Sequence, residues 1–436
     1  MDVTQYTSDL LDFLENSPTP FHAVQSMASR LRDNGFVELS EADEWKVASA
    51  SKYYVIRNGS SIIAFRTGNG ANVEMDLVNN GLRMVGAHTD SPCLKVKPVP
   101  EVTQKDYLQL GVEIYGGALL APWFDRDLSM AGRVHYITKD QQLETTLVDF
   151  HDPIAVIPSL AIHLDRTVHE QRTINAQKEL LPIVMQTKPG ETVEFRDLLK
   201  KQILNDDPQC PVAEVLDYDL FLYDTQPASV VGLYEEFVCS ARLDNLLSCF
   251  VGLTSLIDSD GDYGALLVCN DHEEVGSLSA AGAQGPFLRS VLERLTGDMQ
   301  RCTRAIDKSL MISADNAHGV HPNYLDKHDA SHGPILNKGP VIKFNASQRY
   351  ATNSRTAALF RQLCHKMDVP VQSFAMRNDM LCGSTIGPIT AGGLGVQTLD
   401  VGVPQWAMHS IRETAGTQDT LYLYQVLKAF FASALE

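Results

Sequence analysis

Residues 265–277 read ALLVCNDHEEVGS, and this stretch of sequence decides the fold class. The apolar run ALLVC predicts a buried β-strand, and the polar residues DHEE (271–274) follow the end of that strand. Two other apolar runs end in the same way, since LRMVGA (82–87) is followed by His88 and SLMISA (309–314) by Asp315. In open α/β sheets, ligands bind beyond the carboxyl ends of the strands. The pattern therefore predicts an α/β fold with a polar site along one edge of its sheet.

The chain changes in texture on either side of these strands. Residues 53–66 alternate like a β-hairpin around an Asn-Gly turn, and α/β patterning returns from about residue 237. Residues 93–150 consist instead of short β-branched and alternating segments without a long helical pattern. We therefore predict one discontinuous α/β domain, formed by 1–92 and 237–436, that is interrupted by a β-rich insertion at 93–236.

Composition excludes several classes of partner. The 436 residues include 36 Lys plus Arg against 54 Asp plus Glu, which gives a formal net charge of −18. Such a charge repels nucleic-acid phosphates and anionic lipids, and no apolar run approaches the ~18 residues that cross a bilayer. The first residues lack the basic and apolar segments of a signal peptide, and the eight cysteines form no CxxC pair. We expect a cytoplasmic protein with reduced cysteines that binds neither nucleic acid nor membrane.

Residue types that bind metal ions are concentrated at the predicted sheet edge. Six of them would meet there: His88, Asp244, Glu273, Glu274, Asp315 and His409. Two imidazoles and three carboxylates can hold two divalent ions if one carboxylate bridges them, which leaves one carboxylate as general base on a metal-activated water. Imidazole and carboxylate ligands suit Zn²⁺ best, while Mn²⁺ and Co²⁺ are compatible with them.

Each of these residues also has an ordinary interpretation when it is taken alone. His88 is then a loop histidine, Asp244 is a helix N-cap, and the glutamate pair is a solvated turn. His409 is then a histidine packed in the interior. Asp90 follows His88 by two positions and would orient its imidazole through a hydrogen bond. It is the joint occurrence of these residues at strand ends that favours a dinuclear metal site.

Nine long segments rich in polar loop residues occur in order along the chain. They are GAHTDSPCLKVKP (86–98), WFDRDLSMAGRV (123–134), PSLAIHLDR (158–166), SARLDN (240–245), NDHEEVGS (270–277), SADNAHGVHPN (313–323), KFNASQRYAT (343–352), GSTIGPI (383–389) and VGVPQWAMHSIRE (401–413). Together they resemble the aspartyl aminopeptidases, which belong to the aminopeptidase I group of dizinc exopeptidases. The resemblance runs from about residue 10 to 430, and only 166–215 carries no matching motif.

The resemblance implies an α/β/α metallopeptidase domain with a mixed sheet, and it implies a set of metal ligands. Asp244 would bridge two divalent ions, most simply zinc. His88 and Asp315 would complete one metal site, and Glu274 and His409 would complete the other.

The resemblance also implies the residues that act on the substrate. Glu273 would be the general base, and His163 would contact the substrate carbonyl or the developing oxyanion. Further substrate contacts would come from His318, Lys343 and Tyr350, with Lys343 as the cation that selects an acidic side chain. Arg349 is a weaker candidate for that cation.

The implied function is removal of N-terminal Asp or Glu from peptides that have a free α-amino group. The resemblance also implies that the insertion mediates dimerisation. Because His163 lies in this insertion, it would reach the active site of a neighbouring subunit. The dimers would assemble into a tetrahedral dodecamer. Two enzymatic alternatives stay open on the same scaffold, a neutral-residue aminopeptidase and a dizinc carboxypeptidase or deacylase. A more remote one is a non-catalytic peptide-binding assembly.

Overall fold

The structure, a computed structural model, describes residues 2–188 and 191–434. Contacts within the chain divide it into two units, and the predicted boundaries at 92/93 and 236/237 stay a proposal for separate domains. The first unit consists of Met1–Asp90, Ala228–Met408 and Glu413–Glu436, and the second of Ser91–Pro227 and His409–Arg412.

Both helices and strands are found along the described chain. It forms eleven α-helices: Val3–Glu15 (α1), Pro20–Asp33 (α2), Val73–Asn80 (α3), Ala176–Glu179 (α4), Phe195–Asp206 (α5), Leu243–Ile257 (α6), Phe287–Thr296 (α7), Met299–Asp307 (α8), Ser354–Lys366 (α9), Ile386–Leu394 (α10) and Thr417–Ala432 (α11). The strands over the same described residues are Val37–Glu38 (β1), Lys52–Arg57 (β2), Ser61–Arg66 (β3), Leu82–His88 (β4), Cys93–Gln104 (β5), Tyr107–Tyr115 (β6), Leu128–Thr138 (β7), Leu143–Asp149 (β8), Ile183–Gln186 (β9), Val212–Asp224 (β10), Ser229–Val231 (β11), Phe237–Ser240 (β12), Gly264–Asn270 (β13), Leu310–Ala314 (β14), Ala317–His318 (β15), Val341–Phe344 (β16), Gln372–Ala375 (β17), Gln397–Gly402 (β18), Pro404–Trp406 (β19) and Glu413–Gly416 (β20).

The first unit is built on a nine-stranded sheet with the order β1-β2-β3-β13-β4-β14-β18-β16-β17. Its inner strands β13, β4, β14 and β18 are parallel to one another. Strands β3 and β16 instead run antiparallel to β13 and β18. The sheet is therefore mixed, as predicted, and its parallel centre places four strand ends at one edge.

Helices cover both faces of this sheet, because successive residues of a strand point to opposite sides. In β4, Val85 packs in the hydrophobic cluster that contains Phe250 of α6 and Phe430 of α11. Its neighbour Met84 packs in the other cluster, with Phe287 of α7. Helix α6 is apolar around almost its whole circumference and is buried over its length. The α/β fold class with helices on both sides of a mixed sheet is confirmed.

A smaller sheet of the first unit brings distant segments together, in the order β11-β12-β20-β19-β15. In its antiparallel β12–β20 pair, Ser240 lies opposite Glu413. Strand β12 therefore leads into α6 beside the first residue of β20.

The second unit contains an antiparallel sheet with the order β8-β7-β10-β5-β6-β9. Strands β5 to β8 account for most of residues 93–150, so the β-rich character predicted for that stretch is confirmed. Helix α5 buries Phe195, Leu199 and Ile203 in the core of this unit. Across both units, no described helix is long and apolar enough to cross a membrane.

Candidate metal centre

Three strand ends carry predicted ligands to one edge of the nine-stranded sheet. Strand β4 ends at His88, which lies opposite Asn270, the last residue of β13. The chain turns sharply after β13, where His272 has φ 64°, and then presents Glu273 and Glu274. Strand β14 ends one residue before Asp315. Because these strands are parallel neighbours, their carboxyl ends meet at the same edge.

Asp244 reaches this edge from the start of α6. Arg242, just before α6, has left-handed φ and ψ of 60° and 22°, and a kink at Asp244 and Asn245 precedes the regular part of the helix. Asp244 and Asn245 have non-helical backbone angles, and the peptide between them is cis. The Asp244 side chain is buried.

Donor atoms of His88, Asp244 and Glu274 all lie within 4.8 Å of one another. The Nε2 atom of His88 is 3.4 Å from Asp244 Oδ1 and 3.8 Å from Asp315 Oδ1. An imidazole nitrogen and carboxylate oxygens at such separations can converge on one ion after small side-chain movements. The structure thus brings together four of the five predicted metal ligands.

Asp90 joins the histidine to the glutamate pair. One carboxylate oxygen accepts the backbone N–H of Glu273 at 3.1 Å, and the other accepts that of Glu274 at 3.0 Å. Asp90 Oδ1 also lies 3.4 Å from Nδ1 of His88, which leaves Nε2 directed at Asp244 and Asp315. Asp90 is completely buried, so all these contacts are shielded from solvent. Asp90 therefore lies beside the His88 imidazole and also binds the backbone of both glutamates.

Burial and neighbouring carboxylates disfavour ionisation of the two glutamates of the centre. Burial, together with the negative charges of Asp315, Asp90 and Asp244, raises the pKa of Glu273 to about 8, although His88 opposes this shift. Burial and the charge of Asp244 also raise the pKa of Glu274 well above its ordinary value. Burial lowers the basicity of His88, but its carboxylate partners outweigh burial and raise the pKa. A cation among these groups would therefore favour the ionised form of the two glutamates.

Lys343, predicted to contact substrate, lies within the same buried cluster. Its Nζ is 3.4 Å from Asp315 Oδ2 and donates to the Asn316 carbonyl oxygen at 3.1 Å. Burial alone would raise the pKa of Asp315, but Lys343 and His88 outweigh burial and lower it. The ammonium also lies 5.1 Å from the ring centroid of Tyr350, whose pKa is raised chiefly by burial.

The other predicted residues are placed as follows. His318 lies on β15, with its ring 5.8 Å from that of Phe374 in an edge-on arrangement. His409 belongs to the second unit, where its Nδ1 is 3.2 Å from the Gly117 carbonyl oxygen. His163 also belongs to the second unit and is exposed.

Sequence reasoning missed several buried residues that hold the ligands. Cys249 Sγ donates to the carbonyl oxygen of His88 at 3.0 Å. Glu413 accepts the backbone N–H of Asp244 at 2.9 Å. Glu413 stands in the motif VGVPQWAMHSIRE, which also contains His409, so its presence in a polar motif was a signal. Its target atom was not predictable, since Asp244 is 169 positions away.

The donor set fits a zinc ion. Zinc binds imidazole nitrogen and carboxylate oxygen, and its ligands are usually held by further hydrogen bonds such as those of Asp90. Burial first, and neighbouring carboxylates second, raise the pKa values of Glu273 and Glu274, and a bound divalent cation would oppose both shifts. A buried histidine among carboxylates, at the carboxyl edge of an α/β/α sheet, defines a class of protein, the zinc-dependent hydrolases.

Comparisons with known proteins identify the family. The family described as "Aminopeptidase I zinc metalloprotease (M18)" matches residues 13–431, and the chain belongs to it. The "Probable M18 family aminopeptidase 2" of Ectopseudomonas mendocina (strain ymp) is 58% identical over 424 residues, which cover 97% of each chain. This protein is therefore a zinc metalloaminopeptidase of the M18 family, and the predicted family is confirmed.

Solved structures agree with this assignment. A chain in the cryo-EM structure of the Ape4 and Nbr1 complex superposes with a TM-score of 0.94 at 38% identity, over 98% of this chain and 86% of that one. A chain of the S. cerevisiae mApe1 dodecamer gives a TM-score of 0.82 at 28% identity, over 97% of this chain and 95% of that one.

Proposed function

We propose that this aminopeptidase removes N-terminal Asp and Glu residues from peptides. The observation that carries the proposal is Lys343, a buried cation that touches the metal-site residue Asp315 at 3.4 Å. A lysine carries three N–H donors, and two of them are directed at Asp315 and at the Asn316 carbonyl oxygen. We assign the third to a substrate carboxylate, with the hydroxyl of Tyr350 as the second candidate partner.

In this proposal five residues hold two divalent ions, preferably zinc, with Mn²⁺ or Co²⁺ as substitutes. They are His88, Asp244, Glu274, Asp315 and His409. Bound zinc supplies Lewis acidity, which polarises the scissile carbonyl and lowers the pKa of a water molecule toward about 7.

Glu273 acts as the general base. Its carboxylate takes a proton from the attacking water and then delivers it to the nitrogen of the leaving amine. Asp90 supports this role, because its bonds to the backbone N–H groups of Glu273 and Glu274 fix the backbone that carries both side chains. Histidine N–H donors from His163 and His318 stabilise the developing oxyanion and bind the substrate. The carboxylate-rich centre also favours the cationic α-amino group of a free N-terminus.

The specificity is tested with Asp-, Glu- and Leu-aminoacyl chromogenic substrates, before and after zinc is removed and restored. We expect Asp and Glu substrates to be cleaved in preference to Leu, because a unit charge pair at 4 Å is worth about 4 kcal/mol at an effective dielectric of 20. In Lys343→Met, which keeps the side-chain volume, the Asp-over-Leu ratio of kcat/KM should fall at least ~30-fold.

Lys366→Met is the matched control, since Lys366 is an exposed lysine in the last turn of α9. This control should keep the wild-type ratio. If the wild-type enzyme prefers Leu, the neutral-residue alternative replaces the proposal. If Lys343→Met keeps the wild-type preference, another group selects the acidic side chain.

We further propose that the chain works as a cytoplasmic homo-oligomer in which His163 serves the active site of a neighbouring subunit. Its sequence neighbours Leu160, Ile162 and Leu164 are 64%, 44% and 74% exposed, and clustered apolar exposure is typical of interaction surfaces. The related mApe1 structure is described as a dodecamer, which supports dimers that assemble into a tetrahedral dodecamer here. The eight cysteines, all within the described residues, form no disulfide with one another, which suits a reducing compartment.

Subunit mixing tests the shared site. In this scheme the Glu273→Gln and His163→Ala chains are each inactive alone. In a hybrid pair, the active site of the His163→Ala chain keeps its own Glu273 and receives His163 from the Glu273→Gln chain. Activity should therefore return when the two variants are unfolded and refolded together. Recovery no greater than the sum of the separate variants contradicts action between subunits.

A further inference from the structure

The bend at 243–245, which we call the Asp244 bend, is held by buried polar side chains from other segments. Asn316 Nδ2 donates to the carbonyl oxygen of Leu243 at 2.8 Å. Asn245 Nδ2 donates to the carbonyl oxygen of Ala314 at 2.9 Å. These bonds tie the bend to the end of β14, the strand that leads to Asp315. They leave the backbone N–H of Asp244 to be satisfied from elsewhere.

Glu413 supplies that partner from the first residue of β20. Its Oε2 accepts the Asp244 N–H at 2.9 Å, and its Oε1 lies 3.4 Å from Nε2 of Gln405. Gln405 Oε1 in turn accepts from Asn316 Nδ2 at 2.9 Å, which closes a ring of hydrogen bonds around the bend. Glu413, Gln405 and Asn316 are 1%, 2% and 3% exposed, so this ring of hydrogen bonds is buried.

Glu413 carries a negative charge that its hydrogen bond to the Asp244 backbone does not require. An N–H group needs only an acceptor oxygen, which the neutral amide of glutamine also supplies. A carboxylate is costly to bury, and it is favoured where a cation compensates its charge. Glu413 binds the backbone N–H of Asp244, whose side chain lies 3.4 Å from His88, so its charge adds to the attraction that the centre exerts on a divalent cation.

We propose that Glu413 is a positioning residue of the metal centre, which fixes the Asp244 bend and strengthens zinc binding by Asp244. The inference rests on the proposed role of Asp244 as a zinc ligand. Partners behind the ligands typically change metal affinity 10- to 100-fold when they are removed. Orientation and charge act in the same direction here, because loss of Glu413 both loosens the ligand and removes a negative charge.

The test measures zinc affinity of the full-length protein by competition with a chromophoric chelator. Glu413→Gln keeps the size of the side chain but removes its charge, and its zinc Kd should rise about 10- to 100-fold. Asp419→Asn is the matched control, because Asp419 is also a buried carboxylate of the first unit that accepts backbone N–H groups, those of Asn337 and Gly339. Its zinc Kd should stay within about twofold of wild type, even though its melting temperature falls.

The outcomes are distinct. A zinc Kd for Glu413→Gln within twofold of wild type overturns the inference, and so does an equal rise in both variants, which would report general destabilisation. If Glu413→Gln does not fold, Glu413→Asp decides, since it keeps the charge but shortens the reach to the Asp244 N–H and should still raise the Kd several-fold. Failure of the wild-type protein to bind zinc would instead contradict the proposed metal centre itself. KM for the Asp substrate should change less than kcat, because Glu413 does not touch substrate.

Discussion

The first unit buries carboxylates in two contrasting ways. Asp419, in the first turn of α11, is completely buried, and its oxygens accept the backbone N–H groups of Asn337 and Gly339. At the metal centre, Asp90 accepts the backbone N–H groups of Glu273 and Glu274, and the charges of Asp90 and Asp244 act on both glutamate side chains. Burial raises the pKa of Asp419 to about 7 and that of Glu273 to about 8.

The difference teaches how to distinguish a structural acid from a catalytic one. An acid that is surrounded by N–H donors is solvated by its own chain and contributes to folding. Acids that face one another are left with a charge that only a cation can compensate. Perturbed pKa values alone do not separate the two cases, because both groups are shifted in the same direction. The identity of the neighbouring groups does.

Among the substitutions that compare the metal-centre carboxylates with Asp419, Glu273→Gln is expected to have the largest effect on activity. Loss of the general base should lower kcat about 10³-fold, because positioned acid–base catalysis contributes 10²- to 10⁴-fold. Zinc content and melting temperature should stay at or above the wild-type values, since one of several mutually repelling carboxylates has been removed. Turnover and metal analysis on the same sample check this. Near-normal kcat with full zinc content contradicts the assignment of the base.

A smaller effect is expected from Asp90→Asn. An amide has one acceptor oxygen, so the backbone N–H of Glu273 or of Glu274 loses its partner. The backbone that carries the two glutamate side chains is then less firmly fixed. We expect kcat/KM to fall about 10- to 100-fold together with weaker zinc binding, as for other residues that support metal ligands. Steady-state kinetics at saturating zinc would separate the two effects. Wild-type kinetics and zinc affinity in this variant would show that Asp90 is dispensable.

Asp419→Asn should change stability without changing catalysis. The pKa of Asp419 in the folded chain is about 7, above its ordinary value of about 4, so folding favours the protonated form. Its contribution is therefore fully present below about pH 4 and is lost as the pH rises through about 7. Thermal unfolding at pH 5 and pH 8 should show a decline in the wild type that is smaller in the variant, with kcat/KM of the folded enzyme unchanged. An identical pH dependence in both proteins would contradict this account.

The smallest effect on stability is expected from His163→Ala. The side chain is exposed, and surface substitutions away from special features usually change the free energy of unfolding by less than about 0.5 kcal/mol. Chemical denaturation measures this directly. A loss of several kcal/mol would show that His163 supports its own chain, which would weaken its proposed role in a neighbouring active site.

Part of the site was predictable because local sequence carries it. His88, Glu273, Glu274 and Asp315 each follow an apolar run, and the parallel strands bring them together as expected. Asp244 was predicted as a ligand on weaker grounds, since its residue type also suits a helix N-cap. The structure buries Asp244 at the kink that precedes the regular part of α6.

The order of apolar strands and the polar residues at their ends thus determined, without any coordinates, the fold class and most of the donor set. That information is local, because a buried strand must be apolar and a ligand must follow it. The tertiary structure alone decided which groups stand behind the ligands. Glu413 and Asp244 are 169 positions apart, and Lys343 and Asp315 meet only because β16 and β14 both flank β18. Such pairings depend on the register and order of strands, and no spacing along the chain encodes them.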